Sequence, residues 1–112
     1  MNVNHIAGKF FLVIDGKEAV LNYRLNGKKM DIYHVLVPEE LRGRGLAEQL
    51  ALAGFEYARK NNLAVVPTCP YIKDKFLKDH KEFLDLVEDK NIRGFIRGVS
   101  SKGLRDESER FD

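Results

Sequence analysis

The hydrophobic periodicity of this chain changes once, at a glycine-punctuated loop, and that change decides which folds are open to it. Before Pro38 the apolar residues alternate as in strands; after Gly45 they recur at helical spacing. Lys9-Phe10-Phe11-Leu12-Val13-Ile14 is a run of strand formers that stops at Asp15-Gly16. Glu18 to Leu25 then alternates, with Ala19, Leu21, Tyr23 and Leu25 on one side. Asn26-Gly27 is a second hairpin signal, because such pairs accept the positive φ that a two-residue turn needs. Met30 to Val37 reads as a third strand, ended by Pro38, which has no N–H to give a ladder. A three-stranded antiparallel meander is expected.

Beyond the loop, Leu46, Leu50, Ala53 or Gly54, and Tyr57 lie on one helical stripe. Arg59-Lys60 places positive charge at the end where the helix dipole favours it, and Asn61-Asn62 stops the helix. Leu63-Ala64-Val65-Val66-Pro67 is a short apolar run typical of a buried strand. Ile72, Phe76, Phe83 and Val87, with Leu77 and Leu84, predict a second amphipathic helix. The order is β-β-β-α-β-α, a mixed α+β fold. Met30 to Thr68 is long enough for a right-handed parallel crossover, which puts the helix N-terminus at the edge of the sheet where ligands bind.

A chain of 112 residues holds one small domain with a thin core, so a ligand is expected in a surface cleft. With 44% hydrophobic and 32% charged residues it is ordinary globular material, and a net charge of +2 is too small to argue for nucleic acid. The single cysteine excludes an internal disulfide and suits a reducing compartment, so the expected location is the cytoplasm. No apolar run reaches the roughly 18–20 residues of a membrane span, and the start lacks a secretory pattern. The chain also has no GxxxxGK[ST] loop and no zinc-ligand cluster, and no metal is expected.

The domain is expected over residues 1–89. Residues 90–112 read as an extension, first basic (Lys90, Arg93, Arg97, Lys102, Arg105), then largely acidic and partly disordered, with an added edge strand conceivable over Ile92–Val99.

The chemistry is concentrated in Val37-Pro38-Glu39-Glu40-Leu41-Arg42-Gly43-Arg44-Gly45-Leu46-Ala47. Successive amides of a loop that opens a helix can turn toward one anion, and the helix N-terminus adds partial positive charge. Gly43 and Gly45 let backbone approach a phosphate, Arg42 and Arg44 offer charge-assisted contacts, and small Ala47 keeps the first turn open. The alternative is a plain connection with solvated arginines. A dinucleotide-binding loop fits less well, since the full GxGxxG spacing is missing and hairpins precede the loop.

Arg42-x-x-Gly45-x-Ala47 resembles the pyrophosphate-binding signature of GNAT acetyltransferases. The wider pattern resembles a small stand-alone GNAT-like family. It comprises Asp15-Gly16, Leu21-x-Tyr23, His34 before Val37-Pro38, Val66-Pro67-x-Cys69-Pro70-Tyr71, and His80-x-Glu82-Phe83-x-Asp85-Leu86-Val87, over about residues 4–88. The resemblance implies a mixed sheet with two flanking helices. It also implies acetyl-coenzyme A as cosubstrate, with its pyrophosphate at the amides of Arg42 to Leu46 and its thioester near Cys69. The binding residues implied are Val37, Arg42, Gly43, Arg44, Gly45, Leu46 and Ala47. Val35 and Leu36 stand where such proteins often carry Thr and a polar or acidic residue, and Lys81 stands where proline is common.

Acetyl transfer to an amine needs a neutral amine, a polarised carbonyl and a proton for the departing thiolate. Cys69 is a candidate nucleophile or acid, against the alternative of a small apolar filler. Tyr71 is a candidate acid, or an aromatic packed on the following helix. His34 is a candidate proton relay, or a hydrogen-bonded structural residue. His80 reads as packing or capping, His5 as exposed, and Glu39 and Glu40 as solvated. Three functions remain open: an N-acetyltransferase for a small-molecule or protein amine, a non-catalytic coenzyme A or acyl-coenzyme A binding module, and an interaction domain using the basic extension.

Overall fold

The computed structural model describes residues 3–88. The extension at 90–112 and the strand considered at Ile92–Val99 lie outside the described residues.

The meander is present and has one more strand than expected. Strands β1 (Asn4–Ile6), β2 (Lys9–Ile14), β3 (Lys17–Asn26) and β4 (Lys29–Leu36) pair antiparallel in sequence order. The added strand is held by side chains rather than by any alternation of its own. His5 stacks on Phe10 at 4.0 Å, meets the edge of Tyr57 at 4.7 Å, and hydrogen-bonds the Tyr23 hydroxyl through Nε2 at 2.6 Å. Gly8, at φ 82°, turns the chain between β1 and β2, and its carbonyl accepts the Tyr23 N–H at 3.0 Å.

Helix α1 (Leu46–Lys60) crosses over and returns the chain to β5 (Ala64–Pro67), which pairs parallel with β4 as expected. The helix buries Leu46, Leu50, Ala51, Gly54, Phe55 and Ala58 against the sheet. The buried stripe therefore runs through Gly54 rather than Ala53, and Tyr57 sits at its half-buried margin. Asn61 and Asn62 end the helix, the latter in the left-handed region at φ 57°.

The second helix is a correction. A π-helical stretch, Ile72–Phe76, runs into a single α-turn, Leu77–Asp79. His80 leaves helical geometry at φ −130°, ψ 66°, and a 3₁₀ segment, Lys81–Leu86, follows. The apolar spacing survives the break because Phe76 and Phe83 both reach Phe55, each with ring centroids 5.2 Å apart. Packing on α1, more than helix propensity, holds this segment. Arg59 adds a two-pronged ion pair to Asp85, with both N–O distances 3.1 Å.

The core lies between α1 and one face of the sheet: Phe10, Leu12, Leu21, Met30, Ile32, Leu50, Phe55, Val65, Ile72 and Phe76 are all buried there. Two irregularities then shape the ligand side. β5 pairs with β4 only from Lys29↔Ala64 to Ile32↔Pro67, so residues 33–36 of β4 continue without a β5 partner. The β3–β4 register also slips between Asn22 and Tyr23, which leaves Tyr33 as an extra, bulged residue. Strict alternation from Ile32 would turn His34 toward the helix. The bulge inverts that parity: Val35 lies opposite buried Leu21, and His34 lies opposite Asn22 on the outer face.

Candidate functional site

A cleft of about 380 Å³ opens where β4 outruns β5. One wall is the loop and the first turn of α1, contributing Val37, Leu41, Arg42, Gly43, Gly45, Leu46, Ala47 and Glu48. Facing it are Tyr71, Lys75, Phe76, Asp79 and His80.

Local sequence explains the loop wall. Pro38 ends β4 and leads into a short 3₁₀ turn, Glu39–Leu41, whose Leu41 is buried and anchors the loop to the core. Gly43 and Gly45 both adopt the left-handed region, at φ 82° and 74°, which glycine enters without a Cβ penalty. Nothing lies within 4 Å of where a Cβ would stand at either position. Gly45 caps α1 with no side-chain hydrogen bond, so the first-turn amides keep their donors for an external acceptor. This open, amide-lined cradle fits a pyrophosphate. Arg42 Nε donates to the Val37 carbonyl at 3.2 Å, which ties the strand end to the loop. Among the described residues no group of His, Cys, Asp and Glu could hold a metal ion.

The facing wall carries proton chemistry. Tyr71 is half-buried, and burial, reinforced by the charges of Glu48 and Asp79, raises its phenol above the ordinary 10.0. His80 is the best-connected ionisable group in the cleft. Its Nε2 lies 2.6 Å from a Glu48 carboxylate oxygen and its Nδ1 lies 3.4 Å from Glu82. The Phe76 ring stacks on the imidazole at 4.5 Å. The Glu48 hydrogen bond is the main reason the imidazole holds its proton above the ordinary 6.5. Lys75 and Asp79 are paired at 3.3 Å.

Of the residues singled out from sequence, the cleft brings together Val37, Arg42, Gly43, Gly45, Leu46, Ala47 and Tyr71. It does not bring in three others. Arg44 is exposed on the loop, and His34 is exposed on the outer sheet face because of the bulge. Cys69 is buried at 5% exposure, at the turn from β5 into the helical run. Sequence reasoning missed Glu48, Lys75, Asp79 and the cleft position of His80. Glu48 and His80 are 32 residues apart, and neither belongs to a spacing that announces a pair.

Comparisons with known proteins agree with this geometry. The family model described as GCN5-related N-acetyl-transferase matches residues 9–86. The chain is 40% identical over 73 residues to Protein NATD1 of Danio rerio, covering 62% of this chain and 66% of that protein. It is 41% identical over 63 residues to Protein NATD1 of Xenopus tropicalis, covering 55% and 57%. The chain thus spans between about half and two thirds of the length of these relatives. A solution structure of a GCN5-like putative N-acetyltransferase from Staphylococcus aureus superposes with a TM-score of 0.66 at 25% identity, covering 86% of this chain and 96% of that one. A matched segment that takes in strands β2 to β5, the glycine loop, α1 and both cleft walls places this chain in the GCN5-related N-acetyl-transferase family.

Proposed function

We propose that the chain is an acetyl-coenzyme A-dependent N-acetyltransferase acting on an amine carried by a small molecule or a protein. The observation that carries the reading is the open amide cradle: left-handed Gly43 and Gly45 and an uncapped α1 N-terminus, facing a wall with a protonated phenol. The loop amides would hold the pyrophosphate of acetyl-coenzyme A, which supplies the activated acetyl group. Arg42 would keep the loop docked to the strand end while its outer nitrogens face the phosphates. Tyr71, kept neutral by its raised pKa, would give its proton to the departing thiolate. A lone thiol suits a reducing compartment, and the cytoplasm is the proposed location.

A thermal-shift titration with acetyl-coenzyme A tests this. A ligand at a hundred times its Kd stabilises the folded chain by about 2.7 kcal/mol, a shift of several degrees for a domain of this size. Gly45→Glu, which puts a carboxylate into the cradle, should abolish the shift. Absence of any shift at millimolar ligand would sink the proposal.

A non-catalytic coenzyme A binding module is the second reading. It is favoured by one observation: neither His34 nor Cys69 is among the cleft-lining residues. Acetylation of polyamines or peptides would decide for the enzyme. A thermal shift without acetylation of any such amine would decide for the binding module.

A further inference from the structure

The two cleft walls come from segments far apart in the chain, and a polar contact between Glu48 and His80 ties them directly. Glu48 belongs to the first turn of α1, next to the phosphate cradle, and His80 closes the helical segment that carries Tyr71. We infer that the Glu48–His80 pair is a clasp across the cleft, fixing the separation of its walls and cancelling the Glu48 charge beside the phosphate cradle, so that both residues position the cofactor without touching the reacting atoms. This rests on the coenzyme A reading above.

The geometry favours a charged clasp. Both imidazole nitrogens face carboxylate oxygens, Glu48 at Nε2 and Glu82 at Nδ1. A neutral imidazole has only one N–H to offer, so both contacts are satisfied only by the imidazolium. Phe76 stacks on one side and fixes the ring plane. The His80 side chain is 18% exposed, so its place is set by packing rather than by solvent.

The other charges facing this point are few. Glu48 comes from α1 and Glu82 from the 3₁₀ segment; Asp79 and Lys75, from the helical segment, are paired with each other; Arg42 is on the opposite wall. While His80 is protonated, the Glu48 carboxylate is neutralised next to the cradle. Once it loses the proton, a negative charge stands uncompensated beside the cofactor's phosphates and the tie between the walls weakens. Affinity for coenzyme A should therefore fall as pH rises through the His80 pKa. The expected loss is roughly three- to tenfold, the range for one nearby charge at high effective dielectric.

The experiment has two arms. In the free protein, the His80 ring is titrated by NMR in the wild type and in Glu48→Gln, which alters a half-exposed side chain and leaves the core untouched. The clasp requires that Glu48→Gln move the His80 pKa down toward its ordinary value. An unchanged pKa would overturn it, whatever coenzyme A does. In the second arm, coenzyme A affinity is measured by calorimetry from pH 6 to pH 9 for the wild type, His80→Gln and Glu48→Gln, at a temperature where all are folded by circular dichroism. The expected result is an alkaline loss of affinity in the wild type that His80→Gln lacks and that Glu48→Gln moves to lower pH, following the lowered His80 pKa. A wild-type profile retained in both variants would refute the positioning role. If the wild type binds no coenzyme A at any pH, the proposed function fails and the cofactor-positioning role fails with it, while the first arm still decides whether the two walls are tied.

Discussion

Cys69 is held by its backbone at both ends: its N–H donates to the Ile32 carbonyl at 2.9 Å, and its carbonyl accepts the Lys73 N–H at 3.1 Å. The side chain is thus fixed at the junction of β5 and the helical segment, buried in the core. Replacing it with alanine removes one heavy atom, so Cys69→Ala should cost on the order of 1 kcal/mol and leave the acetyl-coenzyme A thermal shift intact. If the thiol takes part in acetyl transfer, turnover falls well beyond what that small loss explains. Equal turnover in the variant would make Cys69 a core residue and nothing more. Residues differ in how far sequence reveals them. Gly43, Gly45 and Ala47 were legible because a loop opening a helix needs small residues at those places. His34 stands away from the cleft because one bulged residue, Tyr33, reverses the parity that strict alternation from Ile32 would give it, and nothing in the sequence marks that bulge. The Glu48–His80 contact was invisible, since it exists only once two remote segments pack together.

At the level of elements, α1 was read almost to the residue, because a fifteen-residue helix with one buried face has a strong periodic signal. The segment after β5 was read as apolar in the right places and helical in too regular a way. Its aromatic anchors Phe76 and Phe83 satisfy Phe55 through a π-turn, a break at His80 and a 3₁₀ segment equally well. Strand β1 left no pattern because three residues cannot show a period. Gly54 gives an element-scale prediction. It lies inside α1, where glycine costs about 1 kcal/mol relative to alanine. A Cβ there would meet Leu21 Cδ1 at 3.5 Å and Ile32 Cδ1 at 3.8 Å, which are ordinary contacts. Gly54→Ala should therefore stabilise the chain by about 0.5–1 kcal/mol in urea denaturation with an unchanged m-value. A loss of stability would mean that the α1–sheet spacing is set by the missing methyl.

For the whole molecule, most of the cohesion is apolar and indifferent to pH: among the described residues no buried side chain is charged at neutral pH, and the buried polar groups are the Tyr23 hydroxyl, bonded to His5, and the Cys69 thiol. Tyr23 and Tyr71 hold their protons above the ordinary 10.0, so below that range the pH dependence of folding falls to the partly exposed groups around His80, where α1 meets the last segments. His80 holds its proton above the ordinary 6.5, chiefly through Glu48. Its contribution is complete below about 6.5 and is lost as pH rises through the folded value. Glu82 moves the other way: its carboxylate lies below the ordinary 4.5, first through a backbone hydrogen bond and then through His80. Its contribution is present above 4.5 and is lost as pH falls through the folded value. Stability is therefore expected to be highest between these limits and to decline on the alkaline side by about 0.5–1 kcal/mol, the size of a partly exposed ion pair. Urea denaturation of the wild type and His80→Gln at pH 6 and pH 9 measures it. The variant should be the less stable at pH 6 and match the wild type more closely at pH 9. A constant difference at both pH values would assign the His80 contribution to its stacking on Phe76, which does not titrate, instead of to the ion pair.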